Sequence, residues 1–278
     1  MDYTLNIRGR LMSLMEPCVM GILNVTPDSF FAASRVLAEE EVAQRARQIA
    51  DDGAVIIDVG ACSTRPGSDP VTEQEEAERL RMALPVIRRV VPEAIISVDT
   101  FRPTVARMVV EELGVDIIND VGDPHNYFIT HQQMFRTVAR LGVPYVLMSR
   151  AAGIQTMLKE LSHEVQQLRD LGQKDIIIDP GFGFGKTLEG NFAMMRNLSQ
   201  LQVLELPVLV GVSRKRMVYQ TLGCEPEQAL NGTTVLNTMA LERGTSILRV
   251  HDVREAVETV KLYIKSQQSE ESACTGEK

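Results

Sequence analysis

The chain has no excess of positive charge, no paired cysteines and no long apolar run, and each absence removes a class of function. Its 37 acidic side chains outnumber 29 basic ones for a formal net charge of −8. Broad attraction to nucleic acid or to an anionic membrane surface is thereby excluded, and any anion must be held by local design. The four cysteines, Cys18, Cys62, Cys224 and Cys274, lie far apart, without a Cys-x-x-Cys pair or histidines at metal-ligand spacing. They read as reduced, structural thiols. No apolar run reaches the roughly 18 residues of a membrane span, and the opening MDYTLNIRGRLMSLMEP lacks the continuous apolar core of a secretory signal. A soluble, cytoplasmic protein without nucleic-acid or membrane partners is expected.

What is present is a repeated unit. Eight short runs rich in Val and Ile occur in order: CVMGILNVT (18–26), AVIIDVG (54–60), AIISVDT (94–100), VDIIND (115–120), PYVLMS (144–149), DIIIDPG (175–181), PVLVGVS (207–213) and SILRVH (246–251). Amphipathic stretches such as EEEVAQRARQIADDG (39–53) separate them, several closing on the glycine or proline that ends helices. Strands apolar on both faces and alternating with helices belong in a parallel sheet. Eight such units in about 250 residues predict an α/β fold, a single closed (β/α)₈ TIM barrel, over residues 17–265. Residues 1–16 form an N-terminal extension, read as a small hairpin over the barrel's bottom. The polar, acidic end SQQSEESACTGEK (266–278) is expected to be a disordered tail.

In a barrel of this kind the C-terminal ends of the strands carry the chemistry. They carry Asn24, Asp58, Asp99, Asn119 with Asp120, Met148, Asp179, Ser213 with Arg214 and Lys215, then Arg249 with His251. One Asp or Asn past a strand is as readily a turn former or helix cap. Seven of eight strands ending in polar groups on one face is a site. Asp99, Asn119 and Asp179 supply acceptors, while Arg65, Lys215, Arg249 and His251 supply cations or donors. A flat fused ring with several N–H donors on one edge needs such buried acceptors, and an attached diphosphate needs such cations. Both demands meet in a pterin carrying a diphosphate.

The stretch IIIDPGFGFGKT (176–187) has the look of a nucleotide loop. A P-loop, however, needs glycine five residues before the Gly of its Gly-Lys, and Pro180 stands there. Gly-x-Gly-x-x-Gly fails too, because Lys186 takes its third place.

GILNVTPDSF (21–30), DVGACSTRPGSDPV (58–71), SVDTF (97–101), IIND (117–120), DPGFGFGKTLEGN (179–191), PVLVGVSRK (207–215) and RVHDV (249–253) together resemble the dihydropteroate synthase family, one motif per strand and in family order. The resemblance implies an alkyl transfer in folate biosynthesis. The amine of 4-aminobenzoate (p-aminobenzoate) displaces diphosphate from (7,8-dihydropterin-6-yl)methyl diphosphate to form 7,8-dihydropteroate. It implies Asp99, Asn119, Met148, Asp179, Gly211 and Lys215 around the pterin, with Arg249 packed on its ring. Asn24, Thr64, Arg65, Arg249 and His251 would serve the diphosphate, with Asn24 as the ligand of Mg²⁺. Phe30, Thr64, Pro66, Phe184, Ser213 and Lys215 would line the aminobenzoate side. Asn24, Arg65, Asp99, Lys215, Arg249 and His251 would carry the catalysis. The loops 26–36 and 62–71 would close over the diphosphate.

Two segments depart from the family. FAASR (31–35) replaces a common Ser-Asp-Gly-Gly, and MSRAAG (148–153) puts Ser149 and Arg150 where a His-Met pair is frequent. The first touches the place where a sulfonamide inhibitor would compete with 4-aminobenzoate, and so bears on drug sensitivity. The family is typically dimeric, and TTVLNTMALERG (233–244) with the last helix offers a homodimer interface. A methyltransferase acting on methyltetrahydrofolate shares the barrel and much of the pocket, but expels no diphosphate and does not need STRPG or SRK. A barrel that holds a pterin without catalysis would not need the full set Asn24, Arg65, Lys215, Arg249 and His251.

Overall fold

Eight parallel strands pair in a ring in which the first and last barrel strands are neighbours. The computed structural model describes residues 2–25, 35–62, 71–122 and 127–275. In chain order the strands are β1 (Thr4–Ile7), β2 (Arg10–Ser13), β3 (Cys18–Asn24), β4 (Ile56–Gly60), β5 (Ile95–Asp99), β6 (Ile117–Asp120), β7 (Tyr145–Met148), β8 (Ile176–Asp179), β9 (Leu209–Val210) and β10 (Ile247–Val250). The parallel order is β8-β7-β6-β5-β4-β3-β10-β9, and a single parallel bridge, Ile178 to Val208, joins its two ends. The seventh barrel strand is thus two residues long instead of the seven in PVLVGVS.

Side-chain alternation along the strands sorts the barrel's interior into levels. A lower ring of Met20, Ile56, Ile95, Ile117, Val146, Ile177, Leu209 and Ile247 packs together, one residue from each strand. Because the side-chain period of a strand is two, the same inward face continues two residues on. There the sequence reads Ile22, Asp58, Ser97, Asn119, Met148, Asp179, Gly211 and Arg249. An apolar floor is therefore topped by a level that is mostly polar.

The floor is sealed from below. β1 and β2 form an antiparallel hairpin whose Leu5 and Ile7, with Leu14 beyond it, join the lower ring. Arg8, in the hairpin turn, binds buried Asp116 through Nε at 2.5 Å and Nη2 at 2.6 Å.

Outside the ring, helices bury one face each. The helix Glu73–Val90 begins with a capping box in which Thr72 and Glu75 exchange hydrogen bonds, and buries Leu80, Ala83, Leu84 and Ile87 at helical spacing. The final helix (Val253–Thr275) does not yield to a disordered tail at 266. Ser, Gln, Glu and Ala there tolerate helix, and no proline or glycine intervenes before Gly276.

Candidate active site

Asp58 is the hub of the upper level. Fully buried, it accepts Ser97 Oγ at 2.6 Å on Oδ1, and Asn119 Nδ2 at 3.0 Å and Arg249 Nε at 2.6 Å on Oδ2. Arg249 Nη2 donates to Asp99 Oδ2 at 2.8 Å. This network exists because β10 pairs with β3, and β3 with β4, which sets the last strand's arginine near the second barrel strand's aspartate. Burial works against the Arg249 charge, but Asp58 and Asp99 outweigh it and raise its pKa. Burial lifts the Asp99 carboxyl to about 7, against the opposing pull of Arg249. Gly211 lies under the arginine: a Cβ there would meet its Cβ at 3.7 Å.

Asp179 and Lys215 form the other side. The Asp179 Oδ1 accepts the Gly181 backbone N–H at 2.7 Å, and burial raises its pKa although nearby Lys215 acts the other way. Lys215 Nζ donates to Phe182 O and lies 5.1 Å from the centre of the Phe184 ring. Burial lowers its pKa to about 8, with Asp179 holding the proton on. Met148 is buried against the Gly181 turn, with its Sδ 3.3 Å from where a Cβ on Gly181 would stand.

A cleft of about 580 Å³ opens at the rim beside Asn24 and His251. Ser213 Oγ lies 3.1 Å from His251 Nδ1 and accepts the His251 backbone N–H at 3.2 Å. The arginines around this cleft have partners of their own: Arg214 binds Asp252, Arg254 binds Asp52, and Arg45 donates to the His251 carbonyl at 2.8 Å.

The structure therefore brings Asn119, Met148, Asp179, Gly211 and Arg249 together on the upper level, with Asp99 against Arg249, Lys215 beside Asp179 and Phe184 against Lys215. Asn24, Ser213 and His251 stand at the rim. Phe30, Thr64, Arg65 and Pro66 lie outside the described residues, as do most of the two loops read as closing and of FAASR. Asp58 was readable only as a strand-end polar group. Its hub position was missed, although an aspartate two residues past an inward isoleucine in AVIIDVG carries that signal.

Two sequence readings meet specific geometry. Lys186 Nζ donates to the carbonyls of Gly181 at 3.0 Å and Phe184 at 3.2 Å, so it serves its own turn. Thr187 caps the helix Leu188–Asn197, accepting the Gly190 N–H at 3.0 Å. In the departure after β7, Arg150 Nη2 reaches back to Val121 O at 3.1 Å and Gly122 O at 2.8 Å, bracing the neighbouring loop.

A family model described as pterin binding enzyme matches residues 20–251. The dihydropteroate synthase of Bacillus subtilis is 38% identical over 255 residues, covering 88% of this chain and 86% of its own. Among solved structures, the Xanthomonas albilineans dihydropteroate synthase with 4-aminobenzoic acid is 35% identical at a TM-score of 0.85, covering 96% of this chain and 99% of its own. The Coxiella burnetii dihydropteroate synthase in complex with pteroic acid is 33% identical at a TM-score of 0.82, covering 95% and 98%. With the polar level, the rim groups and these likenesses in agreement, the chain belongs to the pterin binding enzymes and, among them, to the dihydropteroate synthases.

Proposed function

We propose that the upper level grips the pterin of (7,8-dihydropterin-6-yl)methyl diphosphate through Asp99, Asn119, Asp179 and Lys215, with Arg249 against the ring, while the rim receives the diphosphate. One observation carries this reading. Among the described residues, Asn119 Oδ1 is buried without a hydrogen-bond partner, amid carboxylates that are themselves buried. An orphaned buried acceptor is costly unless a ligand donor completes it, and the N–H edge of a pterin supplies such donors.

In the reaction, the amine nitrogen of 4-aminobenzoate forms a bond to the pterin methylene carbon as the C–O bond to diphosphate breaks. The leaving group takes the bonding pair, and the amine proton passes to solvent. An arylamine is neutral near pH 7, so no strong base is required. Asp99 and Asp179 would stabilise positive charge spreading from the methylene into the ring. His251 and Arg65 would stabilise the charge that gathers on diphosphate. Ser213, Lys215 and Phe184, with Thr64, Phe30 and Pro66, would border the aminobenzoate, and a sulfonamide would compete there.

Among the described residues, no group of three or more His, Cys, Asp or Glu could hold a metal. Asn24 offers one neutral oxygen, exposed at the rim and 3.2 Å from where a Cβ on Gly60 would stand. That fits Mg²⁺ carried in on the diphosphate, with Asn24 as a single protein ligand. When bound, the ion would neutralise charge on the leaving group. We also infer a homodimer through the helix Leu230–Leu241 and the final helix, which pack together and expose Val235 and Leu262. Light scattering coupled to size exclusion should give twice the chain mass.

The decisive assay supplies Mg²⁺, the pterin diphosphate and 4-aminobenzoate and measures released diphosphate alongside 7,8-dihydropteroate. Pterin binding without either product would sink the catalytic reading.

A further inference from the structure

Lys186 is left over from the catalytic scheme, yet it is half-buried and makes two bonds to backbone carbonyls. The turn it closes contains three glycines with positive φ, Gly181 at 65°, Gly183 at 85° and Gly185 at 63°. Glycine permits that path but brings little stiffness of its own. Stiffness must come from ties, and those present are specific. Gly181 O accepts both Phe184 N at 3.1 Å and Lys186 Nζ at 3.0 Å, Phe184 O accepts Lys186 Nζ at 3.2 Å, and Gly183 N donates to Asn191 Oδ1 at 2.7 Å.

The same turn sets two groups that face substrate. Its Gly181 N–H holds the Asp179 carboxylate, and its Phe182 carbonyl and Phe184 ring hold the Lys215 ammonium. We propose that Lys186 is a positioning residue for pterin binding: its two carbonyl bonds lock the Gly181–Phe184 turn, which fixes Asp179 and Lys215 in register. The idea rests on the pterin-site reading of those two residues. When Lys215 turns its protons toward substrate, Phe182 O loses a donor, and the Lys186 bonds keep the turn in shape. A charged donor suits this task, because charge-assisted bonds to carbonyls are stronger than neutral ones.

The test uses the full chain and titrates pterin diphosphate without 4-aminobenzoate. Lys186→Met is expected to weaken the dissociation constant about tenfold, as loss of a charge-assisted bond can. Lys186→Arg, which keeps donors and charge, should recover most of it, with melting temperatures of both variants matching the parent. Wild-type affinity in Lys186→Met overturns the proposal, and so does equal weakening in both variants or weakening that follows a fallen melting temperature. Should Lys186→Met fail to fold, Lys186→Gln carries the test, with intermediate affinity supporting the proposal and parental affinity overturning it. Parental affinity in Asp179→Asn and Lys215→Ala would instead defeat the pterin-site reading itself.

Discussion

The Nε of Arg249 and the Oδ2 of Asp58 meet at 2.6 Å inside the barrel, linking the last strand of the ring to the second. The Asp58 side chain is wholly buried and that of Arg249 is 18% exposed; without Asp58 the guanidinium keeps only Asp99, and Ser97 Oγ and Asn119 Nδ2 lose their acceptor.

Asp58→Ala should therefore cost about 3–5 kcal/mol of stability, the range for breaking one side of a buried pair. Urea unfolding monitored by circular dichroism measures this. A loss below about 1 kcal/mol, the scale of an exposed pair, would show that Asp99 and solvent make good the lost partner.

Asp99 is expected to give an acid limb to the pH profile. With its carboxyl raised by burial to about 7, the ionised acceptor that a pterin N–H needs appears only as pH climbs through neutrality. The rate parameter kcat/KM for the pterin diphosphate should rise through about pH 7, and Asp99→Asn should lack that limb. The stability effect has the opposite sense. A folded-state pKa above the unfolded one gives stability that is full at acid pH and fades as pH rises toward 7.

Lys215 is expected to give the alkaline limb. Burial has brought its ammonium to about 8, so affinity that depends on its charge should fall above that pH. Lys215→Ala is expected to lower turnover at least about tenfold. Parental kinetics in a steady-state assay would mean that the ammonium does not touch the reacting pair.

Gly181→Ala should be far more damaging than a lost methyl-sized space suggests. The backbone there has φ of 65°, and a Cβ would fall 2.3 Å from Ser149 O. Strain and overlap act together. Expression with a lowered melting temperature and undetectable pterin binding is the expected result, and a variant that binds normally would show that the β7 loop can retreat.

Much of this could be read from the chain alone, and what escaped has a physical cause. The barrel announced itself because eight apolar runs alternate with helices, and a parallel sheet needs such runs. The upper level was visible as polar strand ends, but Asp58 looked like any other polar residue near a turn. Its three partners come from β5, β6 and β10, and such convergence depends on ring closure. Lys186 escaped for the reverse reason. Spacing alone removed it as a nucleotide ligand, but its own task was not legible until the turn folded the Gly181 and Phe184 carbonyls onto the ammonium. The last helix outran the expected boundary because polar composition alone does not break a helix.

The brevity of β9 has a consequence for how the ring breathes. Seven neighbouring strand pairs are laddered, but β8 is joined to the segment before β9 by a single bridge, Ile178 to Val208, so this seam should be the first to part and its amides the first to exchange with deuterium. Asp179 ends one lip of the seam, and Gly211 follows the other. A pterin lodged across them would rivet the gap, and slowed exchange at Val208–Val210 would report an occupied pocket without any measurement of turnover.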